Sequence, residues 1–188
     1  MRSIRARRTI FMKITLETGR LILRPWSIDD AEAMFYGWAN DPEVTKYLTW
    51  NPHQSIDETK ALLSLWIEQY KKPERFNFAI VLKETGELIG GIDVVGYLDG
   101  PEGTPVIGYC SSKKHWNHGY MTEACKCLLN FLFEEGYKEV RIDADVGNIG
   151  SNRVIQKCGG VFEFEETREV PLKHKTVQIN SYLVKNNL

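Results

Sequence analysis

The chain lacks the long hydrophobic runs and the charge imbalance that direct proteins to membranes or nucleic acids. Its 188 residues carry 24 Lys and Arg against 25 Asp and Glu, a formal net charge of −1. No apolar stretch of ~7–15 residues follows the arginines near the start, as a secretory signal would require. We therefore expect a cytoplasmic protein with no membrane partner and no nucleic-acid partner.

The cysteine spacing lacks any pattern typical of a metal site or a disulfide framework. The four cysteines, Cys110, Cys125, Cys127 and Cys158, form no C-x-x-C pair and have no histidine at zinc-site spacing. Two residues that are two apart in a helix point in different directions, which separates Cys125 from Cys127. Reduced thiols and no metal ion are the simplest prediction.

The chain also lacks internal repeats and low-complexity linkers, and it has only 7 prolines. A sequence of this length can bury one substantial core, so we predict a single domain over residues 13–188. Residues 1–12 are a basic N-terminal extension with Arg2, Arg5, Arg7 and Arg8. A run this short is more typical of a solvated extension than of a nucleic-acid-binding arm, which is the alternative.

Capping signals and periodic apolar residues predict the early elements. A strand over 20–24 precedes Ser27, which can cap a helix that runs to about Trp38. Ser55 begins a capping box, and the apolar positions after it predict an amphipathic helix to about Tyr70.

The later elements follow the same logic and complete a mixed α+β pattern. We predict a hairpin over 76–82 and 88–97, a strand over 106–110, a helix from Gly119 to a cap at Gly136, a strand over 140–146, a short helix over 151–157 and final strands over 161–184 with a turn near Pro171.

The turn before the Gly119 helix is suited to binding a pyrophosphate. The first N–H groups of a helix have no intrahelical partner, and the helix dipole adds positive potential there. Gly119 would let a ligand approach the backbone closely. The alternative is that Gly119 only accommodates a tight turn between strand and helix.

A second polar segment, Asn148 to Gly159, directly follows a predicted strand. Asn148 or Ser151 could simply cap the short helix, and in isolation that role is as plausible as a catalytic one. Capping alone does not require both residues.

Taken together, these segments resemble the GNAT superfamily, particularly its ribosomal-protein N-acetyltransferase (Rim-type) branch. The resemblance rests on 18–25 (TGRLILRP), 116–124 (WNHGYMTEA), the pair Asn148 and Ser151, and the pair Lys157 and Gly159, in that order and spacing. It implies a mixed, mostly antiparallel central sheet flanked by helices.

The resemblance also implies an acetyl-CoA co-substrate, no metal, and an N-acetyltransferase activity. Pantetheine would pair with the strand edge, and the loop amides would hold the pyrophosphate. The implied cofactor-binding residues are Tyr109, Cys110, Ser111, Trp116, Asn117, His118, Gly119, Tyr120, Met121, Thr122, Asn148 and Ser151. We expect Ser151 to protonate the leaving thiolate and Asn148 to orient water or pantetheine.

The sequence departs from the family pattern at several positions. Asn117 replaces a glycine of the phosphate loop, and Met121 stands where a small residue is usual. Pro105-Val106 replaces a glutamate that many relatives have before the Ile-Gly-Tyr strand, and Ile155 lies about where many relatives have a general-acid tyrosine. Asp93, Asp143 and Asp145 could each act as a base through water, although a solvated or hydrogen-bonded strand residue is the favoured interpretation.

The missing glutamate bears on the acceptor. Neutralising an α-amine of pKa ~7.7–8.0 at pH 7 costs ~1–1.4 kcal/mol, whereas a lysine amine of pKa ~10.4 costs ~4.6 kcal/mol. We therefore predict acetyl transfer to a protein N-terminus or to an amine-bearing small molecule. The alternative is a non-catalytic, CoA-binding regulatory module of the same fold. Relatives of this kind often pair, so a homodimer is a further expectation.

Overall fold

The structure is a computed structural model that describes residues 14–72, 75–100 and 102–186. The basic extension over 1–12 lies outside the described residues. The strands are β1 (Leu16–Glu17), β2 (Leu21–Arg24), β3 (Asn77–Leu82), β4 (Leu88–Leu98), β5 (Thr104–Ser111), β6 (Glu139–Asp145), β7 (Val161–Val170) and β8 (Lys175–Lys185). The helices are α1 (Ala31–Met34), α2 (Pro42–Thr45), α3 (Ile56–Gln69), α4 (Tyr120–Glu134) and α5 (Ile149–Lys157).

Side-chain caps set the beginnings of the early helices, as predicted. The Ser27 hydroxyl accepts from the Asp29 N–H, and Asp30 accepts from the Ser27 N–H at 2.8 Å. The Ser55 hydroxyl accepts from the Glu58 N–H at 3.3 Å. In a complete capping box, the Glu58 carboxylate would accept from the Ser55 N–H. Here it accepts instead from the N–H of Gln54, the residue before Ser55.

The helix that begins after Ser27 changes its geometry along its length. A 3-10 turn over Ile28–Asp30 leads into α1, and a π-helical turn over Phe35–Ala39 ends the segment one residue beyond the predicted Trp38. Two short elements, β1 and α2, were not predicted, because two and four residues carry too little periodicity. The short helix α5 begins at Ile149, two residues before the prediction.

The eight strands form one sheet in the order β1-β2-β3-β4-β5-β6-β8-β7. All neighbouring strands are antiparallel except β5 and β6, which are parallel. This confirms the prediction of a mixed, mostly antiparallel sheet flanked by helices. Among the described residues, no helix combines the length and the apolar character that crossing a bilayer requires.

Helices cover both faces of the sheet. On one face, α4 and α5 bury Cys125, Leu128 and Ile155 against strand residues such as Ile107 and Ile142. On the other face, the helical segments before β3 bury a second cluster, whose members are Trp26, Ala31, Met34, Trp38, Ala39, Val44, Leu63 and Ala79. The α4 helix ends as predicted, with Gly136 in the left-handed conformation at φ 101°.

The sheet opens between β5 and β6. Their pairing is confined to Val106 with Arg141 and Ile107 with Ile142. Beyond that point β6 continues to pair with β8 as far as Asp145, whereas β5 continues to Ser111 paired only with β4. The result is a V-shaped gap, and residues 108–111 line one side of it.

Candidate active site

The start of α4 lies just beyond the open end of the gap and presents free backbone donors. Gly119 is the N-cap residue at φ 79°, and no side chain caps the helix there. The first helical hydrogen bond runs from the Glu123 N–H to the Gly119 carbonyl at 3.1 Å. The N–H groups of Tyr120, Met121 and Thr122 therefore precede the helical ladder, which is the arrangement that binds anions.

The loop conformation depends on two residues with positive φ. Gly119 adopts φ 79° and Asn117 adopts φ 63°. Asparagine tolerates the left-handed region better than most residues do, so it can replace the glycine usual in this loop. Met121 is half-buried and packs against the α4 side of the core. Its bulk therefore contributes to the core.

The turn between β1 and β2 fastens the start of α4. The Glu123 carboxylate accepts from the Thr18 hydroxyl at 2.6 Å, from the Arg20 N–H at 2.9 Å and from the Arg20 guanidinium at 2.7 Å. Arg20 also donates to the His118 carbonyl at 3.1 Å and lies 4.5 Å from the centre of the Tyr120 ring. We did not predict this support, although its residues belong to the two segments that carried the family resemblance.

Side chains of the loop also stabilise its path. The Trp116 indole donates to the Ser111 carbonyl at 3.0 Å, which joins the loop to the end of β5. The His118 ring lies 2.8 Å from the Trp116 carbonyl and stacks on Tyr120 with 5.6 Å between ring centres. His118 thus has a structural role in the loop.

The second predicted segment contributes a cap and a pair of hydroxyls. Asn148 is the N-cap of α5, and its carboxamide oxygen accepts from the Ser151 N–H at 3.1 Å. The Ser151 hydroxyl lies 3.0 Å from the Tyr109 hydroxyl, so the two groups face each other across α5 and β5. Burial holds the pKa of Tyr109 well above its usual range, so this phenol stays protonated.

Asn152, which the sequence reasoning missed, orders the end of β6. Its side-chain amide donates to the Asp145 carbonyl at 3.0 Å and to the Asn148 carbonyl at 2.8 Å. Its oxygen accepts from Asn180 at 3.0 Å and from the Tyr182 hydroxyl at 2.7 Å. The only sequence signal was an asparagine beside two residues already singled out.

The three candidate aspartates have different surroundings. Asp143 accepts from the Ser181 hydroxyl at 2.9 Å and pairs with Arg168 at 2.8 Å. Asp145 accepts from the Gly147 N–H at 2.8 Å. Both are hydrogen-bonded strand residues, in agreement with the favoured interpretation.

Asp93 has no such hydrogen-bond partners among residues 14–72, 75–100 and 102–186. Its only ion-pair contact among the described residues is with Arg75 at 3.9 Å, and its side chain is 20% exposed. Burial raises its pKa to about 7, against the opposing influence of Arg75.

The cysteines are all free thiols. The Cys125 side chain on α4 is buried, whereas that of Cys127 is half-buried. This agrees with the prediction that the two side chains point in different directions. Cys110 packs against the second hydrophobic cluster, and burial raises its pKa to about 12. The Cys110 thiol is therefore neutral near pH 7.

A cavity lies near the tip of the β7–β8 hairpin. Its volume is about 660 Å³, and it is lined by Trp50, Asn51, Pro52, His53, Gln54, Glu58 and Leu172. The Asn51 amide donates to the Leu172 carbonyl at 2.8 Å, which ties the α2–α3 loop to the hairpin. Two aromatic residues outside this lining differ in burial, since Trp38 is fully buried and Tyr36 is 65% exposed.

Comparisons with known proteins agree with this geometry. The acetyltransferase (GNAT) domain family matches residues 20–161 of the chain. The uncharacterized N-acetyltransferase YoaA of Bacillus subtilis (strain 168) is 31% identical over 145 residues, which cover 77% of this chain and 81% of YoaA.

Two solved structures share the fold at low sequence identity. The microcin C7 self-immunity acetyltransferase MccE, in complex with acetyl-CoA and AMP, superposes with a TM-score of 0.79 at 18% identity, covering 90% of this chain and 94% of MccE. RimL, a ribosomal L7/L12 alpha-N-protein acetyltransferase in complex with coenzyme A, superposes with a TM-score of 0.78 at 17% identity, covering 92% of this chain and 98% of RimL. With the family match over most of its length, the chain belongs to the GNAT family of acetyltransferases.

Proposed function

We propose that this acetyltransferase moves the acetyl group of acetyl-CoA to a primary amine by direct attack in a ternary complex. The acceptor is the α-amine of a protein N-terminus or an amine of low pKa on a small molecule. The observation that carries the proposal is the gap between β5 and β6, which leads from the free amides of α4 to the point where the two strands meet.

Acetyl-CoA fits this gap in one direction. The pyrophosphate would accept from the loop and helix amides over 117–122, at the open end. The pantetheine amides would then pair with the unpaired edge of β5 at Tyr109, Cys110 and Ser111. From Ser111 to Gly108 the strand advances about 10 Å, at ~3.3 Å per residue. The thioester would therefore lie near Gly108, beside the closed end of the gap.

Two hydroxyls are available to the leaving thiolate. The Ser151 hydroxyl contacts the Tyr109 hydroxyl at 3.0 Å, and Tyr109 keeps its proton because burial raises its pKa. Ser151 can donate to the thiolate while it accepts from Tyr109. Asn148 supports this pair indirectly, since it fixes the first turn of α5 through the Ser151 N–H.

The test measures CoA release by purified protein with acetyl-CoA and a panel of amines, and CoA binding by calorimetry. We expect release to depend on the amine and to be faster with N-terminal peptides than with peptides whose only amine is a lysine side chain. Tight CoA binding without amine-dependent release would instead indicate a binding module. Equal or faster turnover on lysine side chains would refute the assignment of the acceptor class.

A further inference from the structure

Asp93 lies on β4, next to the β5 residue beside which we expect the thioester. It pairs with Gly108 in the β4–β5 ladder, and Gly108 is the first β5 residue beyond the last β5–β6 pair. A side chain on Gly108 would meet Val95 at 2.7 Å and the Asp93 carboxylate at 3.6 Å. The absence of a side chain at Gly108 therefore leaves the carboxylate open toward the closed end of the gap.

The face on which Asp93 lies is the one from which an acceptor can arrive. Ile92 and Val94 point into the core beneath α4, so the alternating Asp93 points to the opposite face of the sheet. The α4 face of β5 is closed by Ile107 and by Tyr109, which contacts α5. An amine that attacks the thioester must therefore approach on the Asp93 side.

The groups that face Asp93 leave it free to exchange a proton. Arg75 lies 3.9 Å away, which is beyond hydrogen-bonding distance. Tyr70 and Cys110 are neutral, because burial raises the pKa of each to about 12. The Tyr70 hydroxyl is already used, since it donates to the Asn77 carbonyl at 2.7 Å and accepts from the Trp26 N–H.

Resting on the proposed acetyl transfer, we propose that Asp93 is the general base that accepts the proton of the acceptor amine. Asp143 and Asp145 are excluded from this role by their hydrogen bonds to Ser181, Arg168 and the Gly147 backbone. The pKa of Asp93 also suits a general base, because a value of about 7 lets the carboxylate accept a proton from an α-amine and return it to water.

The step balances in atoms and charge. The ammonium group of the acceptor gives one proton to the Asp93 carboxylate and becomes a neutral amine. The amine nitrogen bonds to the thioester carbon, and the C–S bond then breaks. The thiolate leaves with the electron pair of that bond and takes a proton through Ser151, which is replenished by the second proton lost from the nitrogen. Asp93 finally releases its proton to solvent, so each turnover yields an acetamide, CoA and one proton.

The test compares the wild type with Asp93→Asn over a range of pH, using acceptors of different amine pKa. In the wild type, kcat/KM should rise with pH near pH 7 as Asp93 loses its proton, and this rise should be the same for every acceptor. A second rise should follow the pKa of each acceptor amine. Asp93→Asn should lose the shared rise and about 10²–10⁴-fold in kcat/KM at pH 7. Asp57→Asn is the matched control, since that carboxylate is 92% exposed on α3, and it should behave as the wild type does.

Calorimetry with CoA separates the outcomes. Unchanged CoA affinity in Asp93→Asn, with the shared rise lost, supports the proposal. Wild-type rates and an intact shared rise in Asp93→Asn overturn it and leave acetyl transfer standing. Loss of CoA affinity in the variant also overturns it, because Asp93 would then be structural. A wild type that binds CoA but shows no amine-dependent release refutes acetyl transfer itself, and the base with it.

Discussion

Aspartates of one sheet show how surroundings decide the role of a residue. Asp143 is held by Ser181 and Arg168, whereas Asp93 lies 3.9 Å from Arg75 and has a pKa raised to about 7 by burial. A carboxyl that is neutral when buried is a cost to folding once the solution pH favours its ionised form. The proposed base would therefore also destabilise the fold above its pKa.

This cost predicts that Asp93→Asn is more stable than the wild type above pH 7. The folded state binds the Asp93 proton more tightly than the unfolded chain, whose pKa is near the ordinary 3.8. The stability of the wild type therefore falls as pH rises from about 4 to 7, and the deficit stays constant above that. The gain in the variant is on the order of a few kcal/mol above pH 7 and vanishes near pH 4.

Thermal unfolding of both proteins at pH 4, 6 and 8 measures this difference. Asp57→Asn is again the control, because it removes one negative charge from a side chain that is 92% exposed. A difference between Asp93→Asn and the wild type that does not grow with pH would contradict the raised pKa.

The hydroxyl pair makes a separate prediction for the leaving group. Ser151→Ala removes the donor, and Tyr109→Phe removes the hydroxyl that hydrogen-bonds to it. We expect kcat to fall in both variants, by about 10²-fold or more for Ser151→Ala, while CoA affinity changes little. Steady-state kinetics with a saturating amine measure kcat, and Tyr36→Phe is the control because Tyr36 is 65% exposed. Equal kcat in Ser151→Ala and the wild type would exclude this proton path.

At the scale of elements, the start of α4 depends on a residue with a left-handed backbone conformation. A matched pair of glycine substitutions tests this dependence. Gly119 at φ 79° belongs to the proposed phosphate loop, and Gly86 at φ 72° belongs to the β3–β4 turn. A Cβ on Gly86 would contact nothing within 4 Å, and one on Gly119 would make only an ordinary contact with Arg20 at 3.6 Å. Alanine at either site therefore costs about 1–2 kcal/mol of stability through the backbone alone.

We predict that Gly119→Ala weakens CoA binding by at least about tenfold, which corresponds to ~1.4 kcal/mol, whereas Gly86→Ala leaves it unchanged. Chemical denaturation and calorimetry on both variants give the two quantities. Similar stability losses with unequal CoA affinities would support the loop as the phosphate site. Equal CoA affinities in the two variants would locate the phosphates elsewhere.

The elements that could be predicted from sequence are those with local signals. These signals involve residues that are close in sequence. They are the Ser55 cap, the periodic apolar residues of α3 and α4, and the cap at Gly136. The candidate site was predicted in the same way, through its loop and the Asn148 segment. Asp93 was named, but its surroundings, with Arg75 at 3.9 Å, depend on contacts between segments that no local pattern encodes.

At the scale of the whole molecule, the feature that opens the gap is the short stretch of pairing between β5 and β6. Its two residue pairs, Val106 with Arg141 and Ile107 with Ile142, come from strands separated by the whole of α4. The register of β4 shifts between Val94 and Gly96, as at a β-bulge, opposite the same two β5 residues. Such a gap is a property of long-range packing, which explains why the sequence suggested the cofactor only through resemblance.

A ligand that fills the gap and contacts α4 should also stabilise the fold. Binding to the folded state alone adds about 2.7 kcal/mol of stability at a concentration of one hundred times Kd. At equal ligand concentration, the gain should be largest for a ligand that reaches both the amides of α4 and the edge of β5, because that ligand has the lowest Kd.

The proposed phosphate site at α4 is best tested by a calorimetric titration of the purified chain with CoA and, in parallel, with pantetheine, which lacks the pyrophosphate and the 3′-phosphoadenosine attached to it. We predict measurable CoA binding and a pantetheine affinity lower by at least about a hundredfold, or ~2.7 kcal/mol, because the α4 amides then have no anion to hold. No measurable affinity for CoA, or equal affinity for the two ligands, would contradict this assignment.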